Sequence, residues 1–280
     1  MPNSTLPIRN TAIPTTDPEA GLKVTEIFYS LQGEALTAGL PTIFIRLTGC
    51  PLRCVYCDTE YAFVGGERMS LAGILAVCQS FPCQRICLTG GEPLAQPNAI
   101  ALMNLLLAHG YEISLETSGA LSVAEVPTAV SKVMDIKTPS SQEADKNLWQ
   151  NLPYLTAHDQ IKFVIMNRDD YDWSKQILAD YQLDKKVATV WFSPMFNVEE
   201  RQTNIPTLAT DLAEWILADA LPVRFQLQLH KIIWADAKGK YPLPNNHCQI
   251  AAAKSLEHNL GKYQADGKND CLGADCVGFF

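Results

Sequence analysis

No apolar run in this 280-residue chain reaches the roughly 18 to 20 residues that a helix needs to cross a bilayer. The opening stretch MPNSTLPIRNTAIPTTDPEAG is polar and proline-rich, without the apolar core of an export signal. It reads as a flexible tail over residues 1–21 on a cytoplasmic protein with no membrane association. Basic residues are in deficit, since 22 Lys and Arg against 30 Asp and Glu give a formal net charge of −8. That balance argues against a broad phosphate-binding surface, so direct contact with nucleic acid is not expected. No internal repeat or low-complexity block interrupts the chain.

What the chain does have is cysteine, nine in all. Without an export signal these should be reduced, so clustered thiols point to metal binding or catalysis rather than a disulfide framework. The 47% hydrophobic and 19% charged composition suits a globular chain with a full core. Strand-like runs recur at 24–31, 42–48, 85–90, 112–117, 132–138, 161–166, 187–193 and 223–234. Helix-like segments such as SLAGILAVCQSF, NAIALMNLLLAHG and TDLAEWILADA lie between them. The alternation predicts an α/β fold of parallel units, a complete or partial (β/α) barrel, as one domain over residues 22–280. DKNLWQNLPYLTAHDQ reads as a helical or loop insertion, and the C-terminal extension GKYQADGKNDCLGADCVGFF has no usable period.

Chemistry in such folds gathers at the C-terminal ends of the strands. Here those ends read TGC, TGGEP, ETSG, DIKTPSS, SPM and the HK of QLHK, a polar ring around one mouth. The first leads into Cys50, Cys54 and Cys57 at C-x3-C-x2-C spacing. Thiolates select zinc or iron–sulfur clusters, but structural zinc needs a fourth ligand, and no His or Cys follows Cys57 within twenty residues. Cys78, Cys83 and Cys87 fall in or beside a predicted helix and strand, where cysteine is commonly a small hydrophobe. Three ligands then suit a four-iron cluster with one iron open to a ligand. In LTGGEP the glycine pair lets backbone approach a ligand closely, and Pro93 stops the strand. Glu116 in LETSG and Lys137 in DIKTPSS are charges ending apolar strands, tolerable only if they face the mouth or solvent.

The cysteine spacing, with Tyr56 before the last thiol, and the LTGGEP segment resemble the radical S-adenosylmethionine superfamily. The resemblance implies a 4Fe–4S cluster on Cys50, Cys54 and Cys57. It also implies S-adenosylmethionine held by Tyr56, Asp58, Gly91, Glu116, Ser118, Asp135, Ile136 and Lys137. SLQGE, an apolar strand carrying Arg46, CDTEY and QLHKIIW are further similar to the 7-carboxy-7-deazaguanine synthase family, over about residues 22–235. That family converts 6-carboxy-5,6,7,8-tetrahydropterin to 7-carboxy-7-deazaguanine with loss of ammonia, on the route to queuosine in tRNA. The resemblance implies substrate contacts from Leu31, Gln32, Gly33, Glu34, Arg46, Thr89 and His230, and Mg2+ on Thr59. It also implies a homodimer fed by a reductant such as flavodoxin or ferredoxin.

Structural roles stand beside several of these. Asp58 or Thr59 can cap a short helix, and a lone His such as His230, read here as ending a strand, is often structural. The family pattern SLQGEG carries Ala35 here in place of its last glycine, an exchange expected to alter the loop's geometry, since glycine tolerates positive φ and alanine does not. A glycyl-radical activating enzyme shares the cysteine spacing but has no use for SLQGE with Arg46. A zinc-binding module is the alternative outside catalysis. Cys271 and Cys276 in the tail carry no clear role.

Overall fold

Each central strand alternates two kinds of side chain. Ile43, Ile45 and Leu47 share one face of PTIFIRL, Phe44 and Arg46 the other. RICLTG divides Ile86 and Leu88 from Cys87 and Thr89, and QIKFVI divides Ile161, Phe163 and Ile165 from Gln160 and Lys162. The first set is closed to solvent in every case. The second set is polar or aromatic on the opposite face, because successive side chains in a strand point to opposite sides.

The computed structural model describes residues 20–195 and 207–234. Its strands are β1 (Gly21–Leu31), β2 (Pro41–Leu47), β3 (Glu67–Ser70), β4 (Arg85–Gly90), β5 (Glu112–Thr117), β6 (Ser131–Asp135), β7 (Gln160–Ile165), β8 (Thr189–Pro194) and β9 (Arg224–Phe225). They form one open nine-stranded sheet in the order β3-β1-β2-β4-β5-β6-β7-β8-β9. From β2 to β9 neighbours run parallel, as the alternation of strand and helix predicts. β1 runs antiparallel to both β2 and β3, closing one side with a hairpin-like edge that no β/α unit supplies. The result is a partial barrel.

Helices α1 (Leu71–Gln79), α2 (Ala99–Ala108), α3 (Arg168–Tyr181) and α4 (Thr207–Ala218) follow β3, β4, β7 and β8, and the short α5 (Leu229–Trp234) follows β9. Their starts obey local chemistry: the Ser70 side chain accepts from Gly73 N, and Asn167 from Asp170 N, each satisfying a free first-turn donor. Tyr171 and Leu178 of α3 and Leu212 and Ile216 of α4 pack with Ile161, Phe163, Ile165, Val190 and Phe192. Burying such side chains stabilises by about 1.5–3 kcal/mol each before entropy is counted. The apolar face therefore faces the helices, and the polar face is left for chemistry.

Three boundaries depart from the sequence reading. β1 begins at Gly21 inside the expected tail, held by pairing of Leu22 with Met69 of β3; residues 1–19 lie outside the described residues. The run 223–234 is a strand only at Arg224–Phe225, and its second half turns into α5. His230 therefore sits on a helix and ends no strand. β6 stops at Asp135: Ile136 N still bonds Lys162 O of β7, but Lys137 N turns away to the Asn147 side chain. Cys271 and Cys276 lie outside the described residues.

Candidate active site

The β2 and β4 ends meet at distances that only glycine permits. Gly91 N donates to Leu47 O at 3.3 Å and Glu92 N to Gly49 O at 2.8 Å. A Cβ on Gly91 would stand 2.4 Å from Gly49 O and 2.6 Å from Cys50 Cβ, inside any real contact. The LTGGEP turn thus lies directly against the first cysteine. Glu92 then pins the β5 end: fully buried, it accepts from Leu94 N, from Thr117 Oγ1, and from Ser118 N and Oγ at 2.7 and 2.6 Å. Ser118, expected at the cofactor, spends its hydroxyl proton on this carboxylate.

Cys50, Cys54 and Cys57 are free thiols, each partly accessible, on the loop that follows β2. Burial pushes the Cys50 thiol up and Cys54 to about 11, which disfavours the thiolate until a bound cation offsets the lost hydration. Among the described residues no three His, Cys, Asp or Glu side chains gather as a single ion requires. Three thiols on one loop match the three protein-held corners of a four-iron cluster with one iron open, whereas structural zinc takes a fourth protein ligand. Cys78 and Cys87, buried and pushed up to about 12, are core residues.

Beside the thiols, polar groups await a ligand. Tyr56 Oη and Asp135 Oδ1 are buried with no hydrogen-bond partner among the described residues. Lys137 Nζ bonds Asp135 Oδ2 at 2.9 Å and stands 5.8 Å from the Tyr56 ring centroid. Buried polar atoms are seldom left unpaired, so this corner suits a molecule with amine, hydroxyl and carboxylate groups. Ile136 adds only its carbonyl, since its side chain is in the core and its N–H is used.

Across the mouth, the loop after β1 carries Gln32, Gly33 and Glu34. Gln32 Oε1 accepts from Gly33 N and Glu34 N, so its side chain shapes the loop. Leu229 N donates to Gly33 O, and a Cβ on Gly33 would lie 2.1 Å from His230 Nδ1, which places the expected His230 against the expected loop. Glu34 accepts from Gln228 Nε2 and pairs with Lys162 Nζ at 2.8 Å. Burial alone would raise the Glu34 carboxyl, but Lys162 and His230, with hydrogen bonds from Lys162 and Gln228, hold it down at about 2. Burial lowers His230.

Arg46 gives Nε to Glu26 Oε1 at 2.7 Å, and Tyr61 Oη donates to the same oxygen at 2.8 Å. In the sheet register Arg46 neighbours Thr89, and Leu31 ends β1 opposite Pro41. Asp58 pairs with Lys231 of α5 at 2.7 Å. Thr59 Oγ1 lies 3.4 Å from Asp58 Oδ1 and 3.8 Å from Cys57 Sγ, and its hydroxyl caps no helix. Glu116 is raised to about 7, chiefly by burial and further by Glu34 and Asp135 against the pull of Lys162.

The structure adds Lys162, Glu92, Glu26 and Gln228 to the set read from sequence. Lys162 carried a usable signal, being a lone charge in the middle of an apolar strand, as Glu116 is near the end of its own. Glu26 carried a similar one, whereas the Gln228 contact spans 194 residues and has no local trace.

Residues 44–136 match the family model described as the radical SAM superfamily. The chain is 44% identical over 225 residues to a 7-carboxy-7-deazaguanine synthase of Koribacter versatilis, covering 78% of this chain and 100% of that protein. A 7-carboxy-7-deazaguanine synthase of Chlorobaculum tepidum is 40% identical over 225 residues, covering 79% and 98%. The crystal structure of QueE from Escherichia coli aligns with TM-score 0.62 and 25% identity over 75% of this chain and 95% of that one. With the cysteine loop, the glycine turn and the open parallel sheet, these matches define a radical SAM enzyme, a class that works with a 4Fe–4S cluster and S-adenosylmethionine. Within that class the chain belongs to the 7-carboxy-7-deazaguanine synthase family.

Proposed function

We propose that this protein converts 6-carboxy-5,6,7,8-tetrahydropterin to 7-carboxy-7-deazaguanine and ammonia, and that Mg2+ assists. The observation that carries the pterin assignment is the joining of two halves through Lys162: ionised Glu34 of the loop after β1 stands 2.8 Å from its Nζ on one side, and Asp135 at the end of β6, whose Oδ1 is unpartnered like Tyr56 Oη of the cysteine loop, 3.9 Å on the other. Cys50, Cys54 and Cys57 hold the cluster, and Tyr56, Asp58, Gly91, Glu116, Ser118 and 135–137 surround S-adenosylmethionine. When bound, these two supply a carbon-centred radical able to take a hydrogen atom from the substrate.

The chain's part is recognition and placement. Glu34 accepts from the guanidine-like edge of the pterin, and the Gly33 backbone and His230 border its plane. Arg46, anchored through Nε by Glu26, offers its outer edge to the substrate carboxylate. Thr59, with an oxygen at the mouth, suits a hard cation that shares its shell with substrate oxygens. Thr89 neighbours Arg46 and completes that wall. Between them these residues would hold the pterin in line with the cofactor and exclude water from the space between. A homodimer, a flavodoxin or ferredoxin donor and a cytoplasmic setting belong to the same reading.

The test is an anaerobic assay of reconstituted protein with dithionite, S-adenosylmethionine, Mg2+ and the pterin, with Cys54→Ala as control. Mass spectrometry should find 7-carboxy-7-deazaguanine from the wild type alone. Formation of 5′-deoxyadenosine without it would remove the substrate assignment.

A further inference from the structure

Lys162 is a cation enclosed by carboxylates from three other elements. Its Nζ lies 2.8 Å from Glu34 Oε2 on the loop after β1 and 3.9 Å from Asp135 Oδ2 at the end of β6. Glu116 of β5 acts on it electrostatically. The Lys162 and Glu34 side chains are 11% and 12% exposed. Lys137 takes the same Asp135 oxygen at 2.9 Å, so charge alternates Glu34, Lys162, Asp135, Lys137 from the substrate loop to the cysteine side. A buried ion pair seldom stabilises a fold more than apolar packing would, so stability alone is a poor reason for this one.

We propose that Lys162 is a positioning residue: its ammonium keeps Glu34 ionised and aimed across the mouth, so that this carboxylate can accept from the pterin. The proposal rests on the pterin reading of the site. Each Glu34 oxygen already accepts one hydrogen bond, from Lys162 or Gln228, and retains a lone pair for a ligand. With Lys162 gone, Glu34 would face Glu116, Asp135 and Asp58 in a buried setting. His230, Lys137 and the Asp58-paired Lys231 would remain as the nearby positive or protonatable groups. Protonation of Glu34 would then reach into the neutral range. A protonated carboxyl sets an O–H against the N–H donors it should accept from.

The experiment measures binding of 6-carboxytetrahydropterin by anaerobic ultrafiltration between about pH 6 and 9, the range in which an unpaired buried carboxyl titrates. Reconstituted wild type, Lys162→Met, Lys162→Gln and Lys162→Arg are compared, with thermal melts confirming folding. The wild-type profile corrects for ionisation of the pterin. Lys162→Met and Lys162→Gln should bind roughly 10- to 100-fold more weakly at the acid end and recover most of that loss as pH rises. Lys162→Arg, which keeps the charge, should follow the wild-type profile. If Lys162→Met shows no cooperative melt, Lys162→Gln carries the test. A loss that is the same at every pH in the folded neutral variant overturns the proposal, since a merely structural lysine gives that result; so does an acid limb in Lys162→Arg. Wild type that turns over S-adenosylmethionine but neither binds nor converts the pterin removes the substrate reading instead.

Discussion

Replacing Glu92 by Gln tests whether the Glu of the TGGEP segment is architecture or chemistry. The carboxylate is fully buried, accepts from four donor groups, and has no cation in ion-pair range among the described residues. Its oxygens are therefore satisfied by hydrogen bonds alone. Glutamine keeps the shape, but its amide sets an N–H against the backbone N–H of Ser118 or of Leu94, while the Thr117 and Ser118 hydroxyls must turn round to accept. Hydrogen bonds to a charged group are worth about 1.5–3 kcal/mol each, and a buried donor left facing another donor loses its desolvation as well. Since the losses share one site, the total should be about 3–5 kcal/mol rather than the full sum. For a chain of this size, that lowers the melting temperature by roughly 6–20 °C. The assay is thermal unfolding by circular dichroism of the protein without cluster or cofactor. Ser118→Ala removes one of the donors and should cost about 1–2 kcal/mol, with strong non-additivity in the double variant. A Glu92→Gln melt within 2 °C of wild type would refute the reasoning, and would leave the Glu92 carboxylate open to a ligand.

Ala35 sits at φ 62° with its side chain 3% exposed. The left-handed conformation costs about 1–2 kcal/mol, while the buried methyl and the stiffer unfolded chain return roughly 0.8 and 0.4–1 kcal/mol. Ala35→Gly should thus shift the melting temperature by no more than a few degrees; a large rise would mean that the methyl is not well packed. Gly91→Ala forces the cysteine loop away from the glycine turn, and iron and sulfide per chain should fall well below wild type after reconstitution. Full iron content with wild-type S-adenosylmethionine affinity would contradict the clash. Glu116, raised to about 7 from 4.5, contributes stability that is complete below about pH 4.5 and lost as pH rises through 7. Glu116→Gln, without cofactor, should therefore melt above wild type by about 1–3 kcal/mol at pH 8 and lose that advantage toward pH 4.5. A gap independent of pH would show that Glu116 is not the titrating group.

The parallel strands were legible because their outer faces are continuous Ile, Leu, Val and Phe, and that signal survives without tertiary context. β3 was not, since ERMS has no apolar alternation of its own and is a strand only because Gly21–Val24 of β1 pairs with it. LHKIIW looked like strand for its paired isoleucines, yet it forms α5, tied to the mouth by Leu229 N on Gly33 O and Lys231 on Asp58. Local propensity lost there to contacts more than a hundred residues away. The cysteine loop and glycine turn were legible because their chemistry is written in consecutive residues.

The ionic network was visible only as isolated charges, and its pairing explains why each is tolerated. Arg46 answers Glu26, Lys162 answers Glu34, Lys137 answers Asp135 and Lys231 answers Asp58. Glu116, on the same face of the sheet, has no cation within ion-pair range among the described residues. Burial raises its carboxyl to about 7, and the negative charges of Glu34 and Asp135 push in the same direction, so Glu116 takes up a proton near neutral pH while Lys162 keeps Glu34 ionised. A site built this way keeps its recognition carboxylates fixed and leaves one group free to change charge near neutral pH. A cationic or amine-bearing ligand arriving beside Glu116 would then displace that proton, and the inner face would gain its last countercharge from the ligand itself.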